Sequence, residues 1–457
     1  MKYLCPRDFR RGEMEEYMIR KEGMHFYINI PNFDQVVIDE ETKTGKVNHS
    51  LHALDTYFSM IESFGKKHFP QTFVVEKITG SRLHMYVTDS LNEAFEVVAE
   101  VSGFAFKLTS YLNHEIAKYK TLLDFQIRIG ACYGEFYEFT FKRETFEEDN
   151  TIGYAANYAA KLQGLSEKSF ISISSDIYEN LDSEYKKTFI IKKDDKLGKY
   201  GQKYYATTNL EKLQTTLDYA TDLENAKRYA NNLNLGDINF SSVRQSLNFD
   251  VLSRKECKKL EGIPLFADVR GFTRQFKKDG SNLEEMSQKT QKILQSMYEI
   301  VGRNKGIHVQ FQGDREMALF HDYSDYKCIP DAIVAALRIV DTVKTYNVCV
   351  GVGTSLGTLF AAKIGARGEK DNIILGTTVT QADRYEDEKA GENQIVINKE
   401  IYSYLKINRP VWANQFVRVA DDCYRTTVGY KKMMEAVSVA QLEKNTRQNN
   451  YNGAWGE

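Results

Sequence analysis

The alternation of apolar and polar positions repeats itself along the chain, with five landmarks in the same order in each half. The first is an apolar strand that breaks into a turn, at 27–36 and again at 266–275. The second is a helical pattern with apolar residues every three or four positions. Its members are Leu51, Leu54, Phe58 and Ile61 in the first half, and Met286, Ile293, Met297 and Ile300 in the second. This series indicates an internal duplication.

The remaining landmarks are strands joined by turns and short helices. Alternating strands flank a glycine at 73–87 and 307–320. The fourth landmark is a glycine-rich strand followed by a helical segment that opens with Asp-Asn. The fifth landmark is a further strand with a short helix, FISISSDIYENL in the first half and QIVINKEIYSYL in the second. We align the two Asp-Asn segments, 149–162 and 371–385, at their first residues. Strands and helices in this order predict an α+β fold with a ferredoxin-like α/β sandwich in each half.

The repeat also sets the expected domain boundaries. The two domains are predicted at 20–210 and 259–432, joined by a mostly helical linker at 211–258. A polar tail follows at 433–457, and its last residues, from 443 onwards, are expected to be disordered.

Composition excludes several classes of protein. The chain has 457 residues, 42% of them hydrophobic, and a net charge of -2, so no overall basic field favours nucleic acid as a partner. The six cysteines form no Cys-x-x-Cys pair, which argues against a structural zinc site. No apolar segment is long enough to span a bilayer and the N-terminal residues are charged, so we expect a cytoplasmic protein without a membrane partner.

Two aspartates of the second half are candidates for chemistry. Asp268 ends an apolar strand, where a carboxylate is costly unless a cation, an ion pair or solvent meets it. Asp314 follows the glycine of the strand–turn–strand landmark. Taken singly, each is more often a turn or helix-capping residue. The corresponding positions of the first half hold Asn29 and Ser81, so only the second half keeps the carboxylates.

These landmarks resemble the class III nucleotidyl cyclases, the adenylate and guanylate cyclase family. The segment FADVRGFT resembles the family's first metal motif, and GDRE resembles the second, whose usual form is Gly-Asp-Gly. ILGTTVTQADR resembles the family's Gly-x-x-Val-Asn-x-Ala-x-Arg helix, with Thr380 where asparagine is expected. In the family, two such domains pair head to tail. Each active site takes its metals from one domain and its base-reading residues from the other.

The resemblance implies one complete site, shared between the halves of an intrachain pseudo-heterodimer. It assigns to the second half two divalent cations, Mg²⁺ or Mn²⁺, held by Asp268, Asp314 and the carbonyl of Val269, and a substrate contact at Phe266. It assigns to the first half the base-reading pair Lys77 and Asn150 and the transition-state residues Asn157 and Lys161. A mirror site would combine Asn29 and Ser81 with Gln310, Thr380 and Arg384, and we expect it to be catalytically dead.

Two departures from the family bear on the base. Family cyclases read adenine with a lysine and an aspartate, and Asn150 stands at the aspartate position. Cytosine presents the same edge as adenine on a smaller ring, a ring-nitrogen acceptor beside an amine, whereas uracil would need the amide flipped. Arg315 replaces the glycine after the second metal aspartate and is expected to border the base pocket.

These departures resemble the cyclases of Pycsar, bacterial anti-phage systems that make cyclic CMP or cyclic UMP as an alarm signal for a separate effector. We therefore expect a pyrimidine cyclase, with CTP favoured over UTP as the triphosphate substrate. An ordinary adenylate cyclase is the alternative within the enzyme class. A nucleotide-binding scaffold without turnover is the alternative outside it, and further assembly into a homodimer is left open.

Overall fold

The computed structural model describes most of the chain. The described residues are 18–115, 124–143, 146–168, 170–207, 213, 215–232, 239–242, 247–252, 256–272, 275–321, 328–365, 371–420 and 422–453. Within these ranges, no helix is both long enough and apolar enough to cross a membrane.

The first half alternates strands and helices. Its elements are β1 (Met18–Asn29), α1 (Phe33–Thr44), α2 (Asn48–His68), β2 (Phe73–Thr79), β3 (Arg82–Val87), α3 (Leu91–His114), β4 (Arg128–Arg143), β5 (Phe146–Ile152), α4 (Tyr154–Leu165), β6 (Ile171–Ile173), α5 (Ser175–Asn180), α6 (Ser183–Lys186), β7 (Phe189–Lys193), a 3-10 turn (Asp195–Tyr200) and β8 (Lys203–Thr207). The connection to the second half contains α7 (Ala220–Asn232), β9 (Asn239–Ser242) and a 3-10 turn (Phe249–Val251).

The second half follows the same order. Its elements are β10 (Glu256–Arg270), α8 (Leu283–Arg303), β11 (Ile307–Gln312), β12 (Arg315–Phe320), α9 (Cys328–Lys344), β13 (Cys349–Thr354), β14 (Gly357–Ile364), β15 (Asp371–Leu375), α10 (Thr377–Arg384), a π-helical turn (Tyr385–Lys389), β16 (Gln394–Asn398), α11 (Lys399–Asn408), α12 (Pro410–Ala413), β17 (Val417–Arg418), β18 (Cys423–Thr426) and α13 (Tyr430–Gly453).

The sheets of the two halves confirm the predicted duplication and the α+β fold. The first sheet runs β2-β3-β1-β4-β6-β8-β7, and the second runs β11-β12-β10-β13-β16-β18-β17, which is the same order of equivalent strands. Two tyrosine stacks are also equivalent: Tyr178 with Tyr205, and Tyr402 with Tyr424, each with ring centroids 3.7 Å apart and an interplanar angle of 4°. The same tyrosine stack is therefore present in both halves, along with the same strand order.

The apolar periodicity of the two helices reflects burial, as the sequence pattern predicted. All the apolar positions of the helical landmark are buried, in α2 and in α8. Each helix therefore packs its apolar face against the core of its own half.

The two halves make reciprocal contacts across one interface. The Glu148 carboxylate of β5 accepts the backbone N–H of Phe311 in β11, at 2.9 Å. In an equivalent position, Asp371 of β15 lies beside β2 of the first half, where burial raises the pKa of its carboxyl and Lys77 and the backbone of Ile78 both lower it. Matched contacts of this kind are those of a pseudo-twofold pair, as the sequence predicted.

One alignment made from the sequence is out of register. Gly153 precedes α4 and Gly376 precedes α10, and counting back from them places Glu148 opposite Asp371. The strand pairing agrees, because Ile152 and Leu375 occupy equivalent positions opposite β4 and β14. Aligning the two Asp-Asn segments at their first residues is therefore wrong by one position.

The polar tail is helical where disorder was expected. Helix α13 continues to Gly453, and the last four residues lie outside the described residues. The helix is anchored at its start, where Met433 is fully buried and the Asp341 carboxylate accepts the backbone N–H of Lys431 at 3.0 Å. Its glutamine, glutamate, lysine and arginine residues are good helix formers, so the helix continues past the anchored turn.

Candidate active site

The predicted metal ligands lie together at one end of the second sheet. Asp268 lies two residues before the end of β10, and Asp314 is in the tight turn between β11 and β12. Burial, and then the charge of Asp268, hold the pKa of the Asp314 carboxyl well above its usual range. Its Oδ2 atom is buried and has no hydrogen-bond partner among the described residues. The two carboxyls therefore form a cluster with too little positive charge around it.

The donor set fits a hard cation. Carboxylate and carbonyl oxygens are the ligands that Mg²⁺ and similar ions prefer, and Asp314 offers an oxygen that no described residue contacts by a hydrogen bond. Asp268 is less free, because Arg270 donates to its Oδ2 at 3.2 Å. Burial raises the pKa of Asp268 even so. Val269 is buried in β10 opposite Val350, and its role as a carbonyl ligand stays a prediction.

In the first half, the side chains at the positions equivalent to Asp314 and Asp268 form a hydrogen bond with each other. Ser81 Oγ donates to Asn29 Oδ1 at 2.9 Å, and both residues are neutral. Within the described residues, this pair therefore supplies no carboxylate to a cation, unlike Asp268 and Asp314.

The predicted base-reading pair is in direct contact. Lys77 Nζ donates to Asn150 Oδ1 at 2.5 Å, and both residues are buried. Lys77 also donates to the carbonyl of Phe311, in the other half, at 3.1 Å. A β-bulge lies between Val75 and Lys77 in β2, and β11 has its equivalent between His308 and Gln310. The two strands that meet at the interface therefore share the same irregularity.

Sequence reasoning missed the partner that Lys77 and Asn150 share. Glu148 accepts from Lys77 Nζ at 2.6 Å, and its backbone carbonyl accepts from Asn150 Nδ2 at 3.1 Å. Burial alone would raise the pKa of Glu148, but Lys77 and His308 lower it overall. The signal was available in the sequence, because residues two apart on a strand point to the same face, so Glu148 had to accompany Asn150.

The predicted transition-state residues share one face of α4. Asn157 is half-buried and Lys161 is exposed. Neither side chain has a hydrogen-bond or ion-pair partner within the described residues. Tyr154, three residues before Asn157, packs against a buried cluster in which Phe139 and Ile152 of the first half join the core of the second half. The face that carries Asn157 and Lys161 therefore borders the interface between the halves.

Arg315 lies against Phe266 and not against Lys77 or Asn150. Its guanidinium is 4.3 Å from the centre of the Phe266 ring. It forms ion pairs with Asp383 at 2.5 Å and with Glu386 at 2.7 Å, both in its own half. Arg315 is thus part of an internal charge cluster, and a role beside the base stays a prediction.

The mirror site contains a cavity of about 110 Å³. Ser81 and Arg82 of the first half line it together with Thr380 of the second. Two carboxyls that were not predicted, Asp34 and Asp383, face this cavity from opposite halves. Burial, and then the charge of Asp383, raise the pKa of Asp34. Gln310 and Arg384 do not line the cavity, so only part of the predicted mirror set is brought together there.

Three solved structures illustrate what this chain is similar to. An adenylyl cyclase-like ATP-binding protein from Pseudomonas aeruginosa matches 92% of this chain and 91% of its own, with a TM-score of 0.67 and 15% identity. The adenylyl cyclase CyaB from P. aeruginosa is 21% identical over 37% of this chain and 95% of its own, with a TM-score of 0.32. A guanylyl cyclase domain from Blastocladiella emersonii is 19% identical over 37% and 97%, with a TM-score of 0.31.

A search of curated protein sequences finds no match. The model of the adenylate and guanylate cyclase catalytic domain family matches residues 21–211 and again residues 261–438. The two matches cover both sheets and both halves of the site described above. The chain therefore belongs to the adenylate and guanylate cyclase family and carries two of its catalytic domains in tandem.

Proposed function

We propose that this cyclase converts a pyrimidine nucleoside triphosphate, CTP ahead of UTP, to its 3′,5′-cyclic nucleotide and pyrophosphate. The observation that carries the proposal is the contact between Lys77 and Asn150 at the base-reading position. In the family the partner of this lysine is an aspartate, which reads adenine. An amide there weakens that preference and leaves a donor and an acceptor for a smaller base.

The amide orientation favours cytosine over uracil. Asn150 Nδ2 is engaged by the backbone carbonyl of Glu148, which leaves Oδ1 towards Lys77. A cytosine that replaces this contact would accept from Lys77 at its ring nitrogen and donate its amine to Asn150 Oδ1. Uracil presents a carbonyl where cytosine has the amine, so Asn150 would have to give up its hydrogen bond to Glu148. Adenine has the same edge as cytosine on a larger ring.

The carboxylates of the second half would hold the metals, and the first half would meet the phosphates. Asp268 and Asp314, with the carbonyl of Val269, would bind two divalent cations, Mg²⁺ or Mn²⁺. Bound there, the cations would supply positive charge to the triphosphate and to the 3′-hydroxyl that attacks the α-phosphate. Lys161 would donate to the α-phosphate oxygens, and Asn157 lies one turn before it on α4. Lysine lacks the two-pronged geometry of the family arginine, so we expect slow turnover.

The cellular role follows from the resemblance to the Pycsar cyclases. The protein would act as an intrachain pseudo-dimer, and its cyclic product would be the alarm signal that activates a separate effector during phage infection. Neither nucleic acid nor a membrane is needed for this role.

Two other functions remain as competitors. An adenylate cyclase is favoured by Lys77, which suits adenine as well as cytosine. A nucleotide-binding scaffold is favoured by the hydrogen bond from Arg270 to Asp268, which competes with a cation. The Pseudomonas protein with the similar two-domain fold is named as ATP-binding, so ATP must be included in any test.

One experiment separates these functions. The purified protein is incubated with CTP, UTP, ATP and GTP separately, with Mn²⁺ or Mg²⁺, and the cyclic products are measured by mass spectrometry. Cyclic CMP as the main product, with cyclic UMP next, supports the proposal. Cyclic AMP as the main product supports the adenylate cyclase. Binding of a triphosphate without any cyclic product supports the scaffold.

A further inference from the structure

Glu148 and His308 connect the two halves directly behind the base-reading pair. Besides Lys77 and Phe311, Glu148 contacts His308 of the second half, with 3.1 Å between Glu148 Oε2 and His308 Nε2. His308 Nδ1 lies 2.8 Å from Glu316 Oε1. The side chains of Glu148 and His308 are 10% and 6% exposed, and that of Lys77 is 5% exposed. These charged groups thus form one buried chain that ends at Lys77.

The position of Lys77 depends on this chain. A lysine ammonium is a point charge on a flexible stem, so its acceptors fix its location. Of the three acceptors of Lys77, the Phe311 carbonyl belongs to the second half. Glu148 is itself held by two groups of that half, the Phe311 N–H and His308. Asn150 is the one acceptor that the first half supplies without such help.

We propose that Glu148 and His308 are positioning residues for base recognition, with His308 holding Glu148 and Glu148 holding Lys77 where it meets the base. The inference rests on the proposed function, because it requires Lys77 to contact a base. It extends that function by making base affinity dependent on a residue of the half that binds the metals. Base recognition then requires that the two halves are docked against each other.

The charges around His308 define how the chain responds to pH. Glu148 of β5 and Glu316 of β12 face the ring, Lys77 of β2 and Asp371 of β15 lie beyond Glu148, and Tyr298 of α8 packs on the ring at 5.2 Å. Burial alone would lower the pKa of His308, but the two glutamates raise it to about 9. The imidazolium is therefore present below about pH 9 and is lost as the pH rises through that value.

The test is a comparison of KM and kcat for the triphosphate that the protein cyclises. Glu148→Gln and His308→Gln should raise KM by about tenfold to a hundredfold, the range for one charge-assisted hydrogen bond, with kcat within about threefold of the wild type. His308→Arg keeps the cation and should recover most of the affinity. The matched control is Lys278→Ala, which breaks an exposed ion pair with Asp176 across the same interface and should leave KM unchanged.

The pH profile separates positioning from a merely structural role. The KM of the wild type for CTP, whose base does not titrate in this range, should rise between pH 8 and pH 10. The KM of His308→Gln should not change with pH over this range. The KM of His308→Arg should also be independent of pH, and it should stay near the low value of the wild type at pH 8. An unchanged KM in Glu148→Gln, or a loss of kcat and of the thermal midpoint with no change in KM, would overturn the proposal.

A binding measurement distinguishes this proposal from the proposed function. If no triphosphate is cyclised, calorimetric titration with CTP, UTP, ATP and GTP replaces KM as the readout. Weaker binding to Glu148→Gln than to the wild type would then support the positioning role although the cyclase function had failed. Equal binding to both proteins would overturn the positioning role, and no binding to the wild type would overturn both.

Discussion

Ser81 donates a hydrogen bond to Asn29 at 2.9 Å, where the other half of the molecule has Asp314 beside Asp268. At two equivalent ends of two equivalent sheets, one pair of side chains is neutral and satisfied. The other pair is acidic and leaves a buried oxygen without a partner in the described structure. Of the two pairs, the acidic one is the one that a bound cation would stabilise.

Metal binding should follow this difference. We expect Mn²⁺ to raise the thermal midpoint of the wild type, because a ligand that binds the folded state alone stabilises it, by about 2.7 kcal/mol at a hundredfold excess over its Kd. Asp314→Asn should show no such rise, and without metal it should be at least as stable as the wild type, since a like charge is removed. Ser81→Ala is the control and should keep the metal response. A full response in Asp314→Asn would contradict the assignment.

Base preference should depend on Lys77 and Asn150. Asn150→Asp fixes an acceptor, so it should favour CTP and ATP, whose amines donate, over UTP by about tenfold to a hundredfold. Lys77→Ala should weaken binding of all bases. The measurement is the ratio of cyclic products in an equimolar mixture of the four triphosphates. If neither substitution moves that ratio, the base lies elsewhere.

Asp371 should be a pH-dependent cost to stability. Burial raises the pKa of its carboxyl to about 7, although Lys77 opposes the shift. The folded state therefore resists ionisation of this group, and stability falls as the pH rises from about 4 to about 7. Asp371→Asn removes the ionisable group at nearly the same size and should raise the free energy of unfolding at pH 8 by about 1–3 kcal/mol. The gain should disappear below pH 4, and a gain that is independent of pH would be inconsistent with this cause.

Arg315 should be needed for stability because it neutralises Glu386, whose side chain is 3% exposed. Arg315→Ala leaves Glu386 with only one of its two cations, Arg270 at 2.6 Å, and should cost about 1.5–3 kcal/mol, the range for a hydrogen bond to a charged group. Glu386→Gln in the same chain should recover much of the loss, and a denaturant double-mutant cycle measures the coupling. Additive effects of the two changes would mean that the pair is not coupled. The product ratio of Arg315→Ala also tests whether Arg315 borders the base.

The sequence was sufficient for features that repeat. Strand order could be predicted because equivalent apolar patterns occur in the same order twice. That Lys77 and Asn150 lie near each other could be expected because the family resemblance assigned both to one base pocket. The separation of metal carboxylates from base-reading residues needed only a comparison of the two halves.

Features that depend on tertiary packing were missed. Glu148 was overlooked because the Asp-Asn segments were aligned one position out of register, which hid its equivalence to Asp371. The ion pairs of Arg315 with Asp383 and Glu386 were not foreseen, because those two residues lie about 70 positions away along the chain. The helix at the C-terminus depends on the burial of Met433, which the polar composition around it conceals.

The most direct test of a single composite site is the rate of cyclic nucleotide formation in matched variants of the two halves. Asp268→Asn and Asp314→Asn should abolish product formation, because one remaining carboxylate cannot hold the metals against the triphosphate. Asn29→Ala and Ser81→Ala change the equivalent positions and should leave the rate within about twofold of the wild type, since a neutral hydrogen bond contributes only about 1 kcal/mol to stability. Equal losses in both pairs of variants would contradict the account.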